Sequence, residues 1–470
     1  MLKFAGALCA SAALLAAAPA LAQQPTPDQA AFRALYKELV ETNTSLSVGS
    51  CTLAAQRMAA HLKAAGFADS EIIPFSTPDH PKEGGLVAIY PGKDPKAKAI
   101  LLLAHIDVVE AKREDWTRDP FTLVEEGGYF YGRGTSDDKA QAAIWVDTLS
   151  RYRKEGYKPR RTLKLALTCG EETSGAFNGA EFLAKNKRDL IDAAFALNEG
   201  ADGELDAAGK PVMLEVEAAE KVFQNYRLEV TNPGGHSSQP VPDNAIYHLV
   251  RAVDRISRYE FPVMLNDANR AYFSRMSKVV GGETGAAMAA IAANPADTHA
   301  NEILSRDKAY HSMLRTTCVA TMLDAGHATN ALPQRARANI NCRIFPGVPT
   351  AEVMATLARL ADDPAVHVSM PEVRGAPAAA PPLTPQIMGP IEKVAAQMWP
   401  GVPVIPTLQT GATDGQFMTP AGIPTFGVSG LFVDADGGGI HGLNERMPVK
   451  SLMDGREFLY RLVKIYADQP

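Results

Sequence analysis

Imidazole and carboxylate side chains recur in five separated segments of this 470-residue chain. In order they are His105 with Asp107, Asp137 with Asp138, Glu171 with Glu172, Glu199, and His441 in GGGIHGLNE. This mixture of donors suits a borderline divalent ion such as zinc, and the same donors accept cobalt or manganese. The number of ligands exceeds what one tetrahedral site takes, so two ions sharing a bridging carboxylate is the economical arrangement. Three carboxylates and two neutral histidines around two dications leave a formal charge of about +1, which a hydroxide would cancel.

The elements that must position these groups are readable around AILLLAHIDVVE, Ala99 to Glu110, where an apolar run stops at His105 and Asp107. Such a run reads as a strand buried on both faces, its polar pair marking the exit at the sheet edge. Residues two apart on a strand face the same way, so the Asp107 carboxylate could hold the His105 ring. Helical spacing covers Asp28 to Val40, Cys51 to Ala65 and Ala140 to Tyr152. Strands are expected at Gly85 to Tyr90, Arg161 to Thr168 and Phe195 to Leu197, and again near Val404 and at Thr425 to Val428. Several strands end in acidic or histidine residues, as expected where open α/β sheets carry ligands at their carboxyl ends.

From about Ala218 the pattern changes to strand, helix, two strands, helix and strand, ending near Met370. That order describes a self-contained α+β unit with a four-stranded antiparallel sheet, of the split β-α-β-β-α-β kind. The expected fold is therefore α/β: a catalytic domain with a mixed central sheet flanked by helices, interrupted by this second unit. Residues 28–217 and 377–470 form the first domain. Residues 218–372 form the second, with a helical insertion at about 262–312.

The formal net charge of −6 and the lack of a long basic run argue against a nucleic-acid partner. Residues 1–22, MLKFAGALCASAALLAAAPALA, read as a secretory signal cleaved after Ala22, giving a periplasmic or secreted protein without a stable membrane span. Beyond that segment stand Cys51, Cys169, Cys318 and Cys342. An exported protein can keep them free and buried or oxidise them. Cys318 and Cys342 lie at equal distances from Asn330 on two strands of a presumed hairpin, which leaves a crosslink and a pair of buried thiols both open.

The ordered motifs resemble the dizinc metallopeptidase family that contains glutamate carboxypeptidase, aminoacylase, carnosine dipeptidase and succinyl-diaminopimelate desuccinylase. The first ligand motif matches His105-Ile106-Asp107, Gly-Arg-Gly-x-x-Asp-x-Lys matches Gly132 to Lys139, and the Glu-Glu pair matches Glu171-Glu172. Glu199 and His441 fall at the last two ligand positions. The resemblance implies His105, Asp137 and Glu199 on one ion, and Asp137, Glu172 and His441 on the other. Asp107 then stands behind His105, and Glu171 is the general base. It also implies that the inserted unit is a lid and commonly the dimerising domain, so a homodimer is the macromolecular partner expected. Within the lid His236 in NPGGHSS, Asn330 in ATNALP and Arg343 in NCRIFPG match positions that bind the substrate carbonyl or carboxylate.

The expected activity is hydrolysis of a peptide or N-acyl amide bond in a small substrate carrying a free carboxylate. Its rival is a catalytically silent binding protein for amino-acid derivatives, against which the retained Glu171 speaks. A structural-zinc scaffold would need Cys-rich ligation. The segment around Gly437 to Gly442 formally fits G-x-G-x-x-G, but Pro448 follows too soon for a nucleotide-binding helix. Neither G-x-S-x-G nor H-E-x-x-H occurs, so serine-hydrolase and single-helix zinc-protease chemistry lack their central residues.

Overall fold

The computed structural model describes residues 26–173, 175–372 and 377–470. The signal reading of residues 1–22 lies outside these residues. Apolar runs such as Ile100–His105 and Leu163–Thr168 are buried along almost their whole length and form the middle of a ten-stranded mixed sheet. Its order is Ile72–Thr77, His80–Tyr90, Leu163–Thr168, Ile100–His105, Phe195–Asn198, Thr425–Gly427, Pro211–Glu220, Gly203–Leu205 and Phe432–Asp434. Val404–Gln409 pairs parallel with Pro211–Glu220 off this path. The four strands from Leu163–Thr168 to Thr425–Gly427 are mutually parallel, so their carboxyl ends share one edge.

Helices cover both faces. Lys139–Lys154 is buried at almost every position, and Trp145 anchors it by donating its indole N–H to the carbonyl of Leu103 at 3.1 Å. Thr26 caps the Pro27–Glu41 helix and Ser50 caps Cys51–Ala64, each accepting a backbone N–H from the first turn. The strands Ile72–Thr77, Gly203–Leu205 and Pro211–Glu220 were not among the expected ones. Their alternating, half-exposed or Pro- and Gly-bearing sequences carry too little apolar signal to be separated from loop.

A separate four-stranded antiparallel sheet runs Thr317–Ala325, Arg335–Ile344, Val222–Thr231, His367–Ser369. The helices Ala245–Ser257 and Thr350–Ala361 pack on one face of it, closing a second core around Tyr226, Leu249, Ile340 and Leu357. The helical segment expected within this unit is present as four helices from Asp267 to Met313. Its core includes Ile405, so it docks on the large sheet rather than on the smaller one. Arg275 reinforces that docking by donating to the carbonyl of Val404 at 2.7 Å.

Cys51, Cys169, Cys318 and Cys342 are all bonded, in the Cys318–Cys342 pair left open by the sequence and in a Cys51–Cys169 pair that it did not suggest. Cys318 and Cys342 stand directly opposite on neighbouring strands, with Cα atoms 4.1 Å apart, and form one disulfide. Cys51, at the start of its helix, is bonded to Cys169 at the end of the Leu163–Thr168 strand.

Candidate metal centre

The carboxyl edge of the parallel strands collects the acidic and histidine groups. His105 is the last residue of its strand, and Glu199 directly follows Phe195–Asn198. Glu171 and Glu172 follow Gly170, whose φ of +91° turns the chain off the sheet and whose missing Cβ leaves room for the carbonyl of Phe177. Asp137 lies in the turn before Lys139–Lys154, and His441 in the loop after Gly437–Gly439.

Asp137 divides its carboxylate between two histidines. Its Oδ1 lies 2.9 Å from His105 Nε2 and its Oδ2 lies 3.0 Å from His441 Nε2. Glu199 Oε1 is 3.5 Å from His105 Nε2, and Glu172 Oε2 is 2.8 Å from His441 Nε2. Two triads result, His105–Asp137–Glu199 and Asp137–Glu172–His441, each with its donor atoms within 4.8 Å of one another. The structure brings together the residues of both sets that the family resemblance implies.

His105 is oriented from behind. Its Nδ1 lies 3.1 Å from the backbone carbonyl of Asp107, nearer than the 3.6 Å to the Asp107 carboxylate. The carboxylate turns instead to the next strand's loop, where its oxygens accept the backbone N–H groups of Glu171 at 3.4 Å and Glu172 at 3.1 Å. The strand ends at His105, so the period-two argument stops applying before Asp107. The Cys51–Cys169 sulfurs also border Asp107.

The electrostatics describe a site with surplus negative charge. Donation to the Asp137 and Glu172 carboxylates pushes the His441 imidazole up to about 10, although it is half exposed. Burial opposes protonation of His105, yet Glu199 and the neighbouring carboxylates raise it as well. Burial would raise Asp137, but its contacts with His105 and His441 hold it below the usual range. Burial lifts Glu199 to about 7 and, together with Glu199, lifts Glu171. The raised histidines are the groups that a divalent cation would have to deprotonate, since imidazole must lose its proton to bind a metal. The donor set, three carboxylates and two imidazoles arranged about one shared carboxylate, fits a dinuclear centre.

Residues that the motif reading passed over complete the edge. Glu445 is fully buried: its Oε2 accepts from Arg133 at 2.8 Å and from the Gly134 N–H, and its Oε1 accepts from the Ser136 and Asp137 N–H groups. Both partners lay in quoted motifs, GRGTSDDK and GIHGLNE, but only their metal-type positions were read. Asp414 accepts from Thr168 Oγ1 at 2.7 Å and from Asn178 at 2.8 Å. An acid soon after the Val404–Gln409 strand was the available signal. Lys139 is fully buried and donates to the carbonyl of Thr42 at 2.8 Å.

His236, Asn330 and Arg343, the three positions expected to bind substrate, are not gathered in one place. His236 pairs with Ala331 in a two-stranded ribbon, next to Asn330, whose carbonyl accepts the Ser237 N–H. His236 is exposed, and among the described residues neither it nor Asn330 hydrogen-bonds to the ligand cluster. Arg343 stands at the other end of the four-stranded sheet, over the Phe223 ring at 4.8 Å and 3.4 Å from the carbonyl of Thr410.

An α/β chain with a twinned carboxylate–histidine centre at its sheet edge is the architecture of a metal-dependent hydrolase. Residues 101–465 match the model of peptidase family M20/M25/M40, and the chain belongs to that family. N-fatty-acyl-amino acid synthase/hydrolase PM20D1 of Xenopus tropicalis is 30% identical over 384 residues, 79% of this chain and 73% of that protein. Carboxypeptidase S of Saccharomyces cerevisiae is 28% identical over 58% of this chain and 49% of its own. An M20 family metallo-carboxypeptidase from Sulfolobus solfataricus superposes with a TM-score of 0.67 at 18% identity, covering 93% of this chain and 99% of that one. A dinuclear metal binding peptidase of the M20 family from Bacillus subtilis superposes with a TM-score of 0.59 at 12% identity, over 93% and 97%. The protein is a metal-dependent peptidase or amidohydrolase. Among the described residues no helix is long and apolar enough to cross a membrane.

Proposed function

We propose that this protein hydrolyses a peptide or N-acyl amide bond in a small substrate with a free carboxylate, using two divalent ions, zinc by preference. The observation that carries this reading is the division of the Asp137 carboxylate between His105 and His441, with Glu171 within electrostatic reach of Glu199, His105 and Glu172. Relatives named as an N-fatty-acyl-amino acid hydrolase and as a carboxypeptidase support the two bond types.

In this reading His105, Asp137 and Glu199 hold one ion, and Asp137, Glu172 and His441 the other. When bound, the ions acidify water and polarise the scissile carbonyl. Glu171 takes the proton of the attacking water on its carboxylate and then passes it to the leaving nitrogen, so both transfers use one side chain. Asp107 holds the backbone of Glu171 and Glu172, which fixes the base relative to its neighbouring ligand. His236 donates to the developing oxyanion when the lid is closed, with Asn330 beside it. Arg343 takes the substrate carboxylate, since its planar fork suits bidentate pairing.

The same reading divides the chain into a catalytic domain, residues 28–217 and 377–470, and a lid, residues 218–372, through which two copies associate. It also has the protein exported after loss of residues 1–22. The test is amine release by the metal-loaded protein from a panel of dipeptides and N-acyl amino acids, each with its carboxyl-amidated counterpart. Turnover of the free acids and loss of it on amidation is the expected result. Equal turnover of both forms would remove the carboxylate from the reading.

A further inference from the structure

Beside the two triads lies a cavity of about 430 Å³, bordered by Asp137 and Glu199 on one side. Beyond those two ligands its wall carries five more carboxyl groups, from Asp138, Asp202, Glu204, Glu215 and Glu217, and no lysine, arginine or histidine among the described residues. The sequence folds them there for local reasons. Glu204 and Glu215 lie on adjacent antiparallel strands, and Asp202 is held at their entrance by Ser429, which donates to its Oδ1 at 2.9 Å.

Acids crowded together are not in themselves a site, but here several polar atoms are buried without partners. Glu217 is 5% exposed and Asp138 3% exposed, yet Glu217 Oε2 and Asp138 Oδ2 have no hydrogen-bond partner. Gln141 borders the same space, fully buried, with neither side-chain atom paired. Buried polar groups are otherwise almost always satisfied, so a cluster of orphans around one void marks the place of a missing partner. Burial lifts Glu215 to about 7 and Asp202 to about 6, the direction expected of carboxyls lacking a counter-charge. Met213, Leu431, Val433 and Ile440 give the wall an apolar part, beside the neutral polar Ser136, Gln409 and Thr413.

We propose that this cavity is a specificity subsite for a cationic head on an apolar stem, so that the preferred substrate carries a lysine or arginine side chain next to the scissile bond. The proposal rests on the hydrolase reading above and adds the substrate class. The stem lies along the apolar part of the wall while the ammonium or guanidinium meets the accessible carboxylates of Asp202, Glu204 and Glu215, with the unpartnered Glu217 behind them, as long cationic side chains do when their stems are buried. A site built to pair an N–H group rejects an analogue lacking it far more strongly than an apolar pocket rejects a lost methylene.

The test uses the metal-loaded full chain and matched substrates in which norleucine replaces lysine, keeping the stem and deleting the charge. N-acetyl-lysine against N-acetyl-norleucine probes the amine side of the bond, and Lys-Ala against norleucine-Ala probes the acyl side. In one of the pairs kcat/KM for the lysine substrate exceeds its partner by about tenfold or more. Glu215→Gln and Asp202→Asn lower that ratio. A ratio near one in both pairs, or one that neither variant moves, overturns the subsite.

If no substrate of either kind is turned over, the hydrolase reading fails separately, and calorimetry with pentylamine decides the subsite alone. Pentylamine binding that Glu215→Gln weakens supports it, and absence of binding overturns it. A third equivalent of metal that disappears in Glu215→Gln also overturns it, because the cavity's cation is then an ion rather than substrate.

Discussion

Glu445 Oε1 accepts the backbone N–H of Asp137 at 3.2 Å, tying the residue shared by both triads to a buried carboxylate four positions after His441. One side chain thereby braces the Asp137 turn and the His441 loop together. Glu445→Ala leaves Arg133, itself 3% exposed, without its charge partner and strands three backbone N–H groups. Removing one member of such a buried pair costs about 3–5 kcal/mol. Chemical denaturation should read that loss, and a variant as stable as the parent would refute the bracing role.

Glu171→Gln should keep both ions and lose about a hundredfold or more in turnover, since a general base acts on water without itself ligating. Metal analysis beside steady-state kinetics separates the two roles. Ions departing with the Glu171 carboxylate would make it a ligand.

Asp137→Ala should empty or scramble both sites, whereas Asp138→Ala should damage metal content less. Asp137 touches both histidines, while Asp138 faces the neighbouring cavity with one oxygen unpaired. Equal metal loss in the two variants, by atomic absorption, would contradict this division.

Metal uptake should release protons. In the metal-free protein the His441 imidazole is pushed up to about 10, so near neutral pH it is protonated and must give up that proton to bind. Apparent affinity therefore climbs with pH from neutrality towards about 10 and levels above it. Titration calorimetry in buffers of different ionisation enthalpy counts the protons; a count of zero at pH 7 would remove the competition.

Both disulfides should stabilise, and one should also affect the chemistry. In the chain-entropy account a crosslink across 118 residues contributes about 4–5 kcal/mol, and one across 24 residues about 3. Cys51–Cys169 borders Asp107, which holds the Glu171 backbone, so the paired Cys51→Ala, Cys169→Ala variant should lower both Tm and kcat. The Cys318→Ala, Cys342→Ala variant should lower Tm alone. Unchanged kcat in the first variant would detach that bond from the base.

The sequence announced the site more clearly than its supports. His105, Glu172 and Glu199 terminate or follow apolar strands, where hydrophobic runs make the sheet edge legible. Glu445 and Asp414 were invisible as supports because their partners, Arg133 and Asn178, lie far away in sequence and meet them only through the fold. The Pro211–Glu220 strand is not legible in the sequence because Glu215 and Glu217, in its middle, face a cavity instead of a core. Cys318 and Cys342 were placed symmetrically by arithmetic, but the bulge between Ala320 and Met322 in the Thr317–Ala325 strand shows why register could not be counted from the turn alone.

Lys221 sits where the chain leaves the large sheet for the smaller one, and its buried ammonium donates to the carbonyl and hydroxyl of Ser312 and to Thr317 Oγ1. Two chain crossings are thus tied at one point, which would be the fulcrum of any tilt of the four-stranded unit. Arg343, opposite Phe223, stands close to this fulcrum, whereas His236 lies past the far end of the Val222–Thr231 strand. Ten residues of strand make a lever of about 33 Å. A tilt of about 10° about that point would carry the His236 end through about 6 Å and leave Arg343 nearly in place. In the proposed roles, the carboxylate anchor would then be the fixed member of the pair and the oxyanion partner the one that travels.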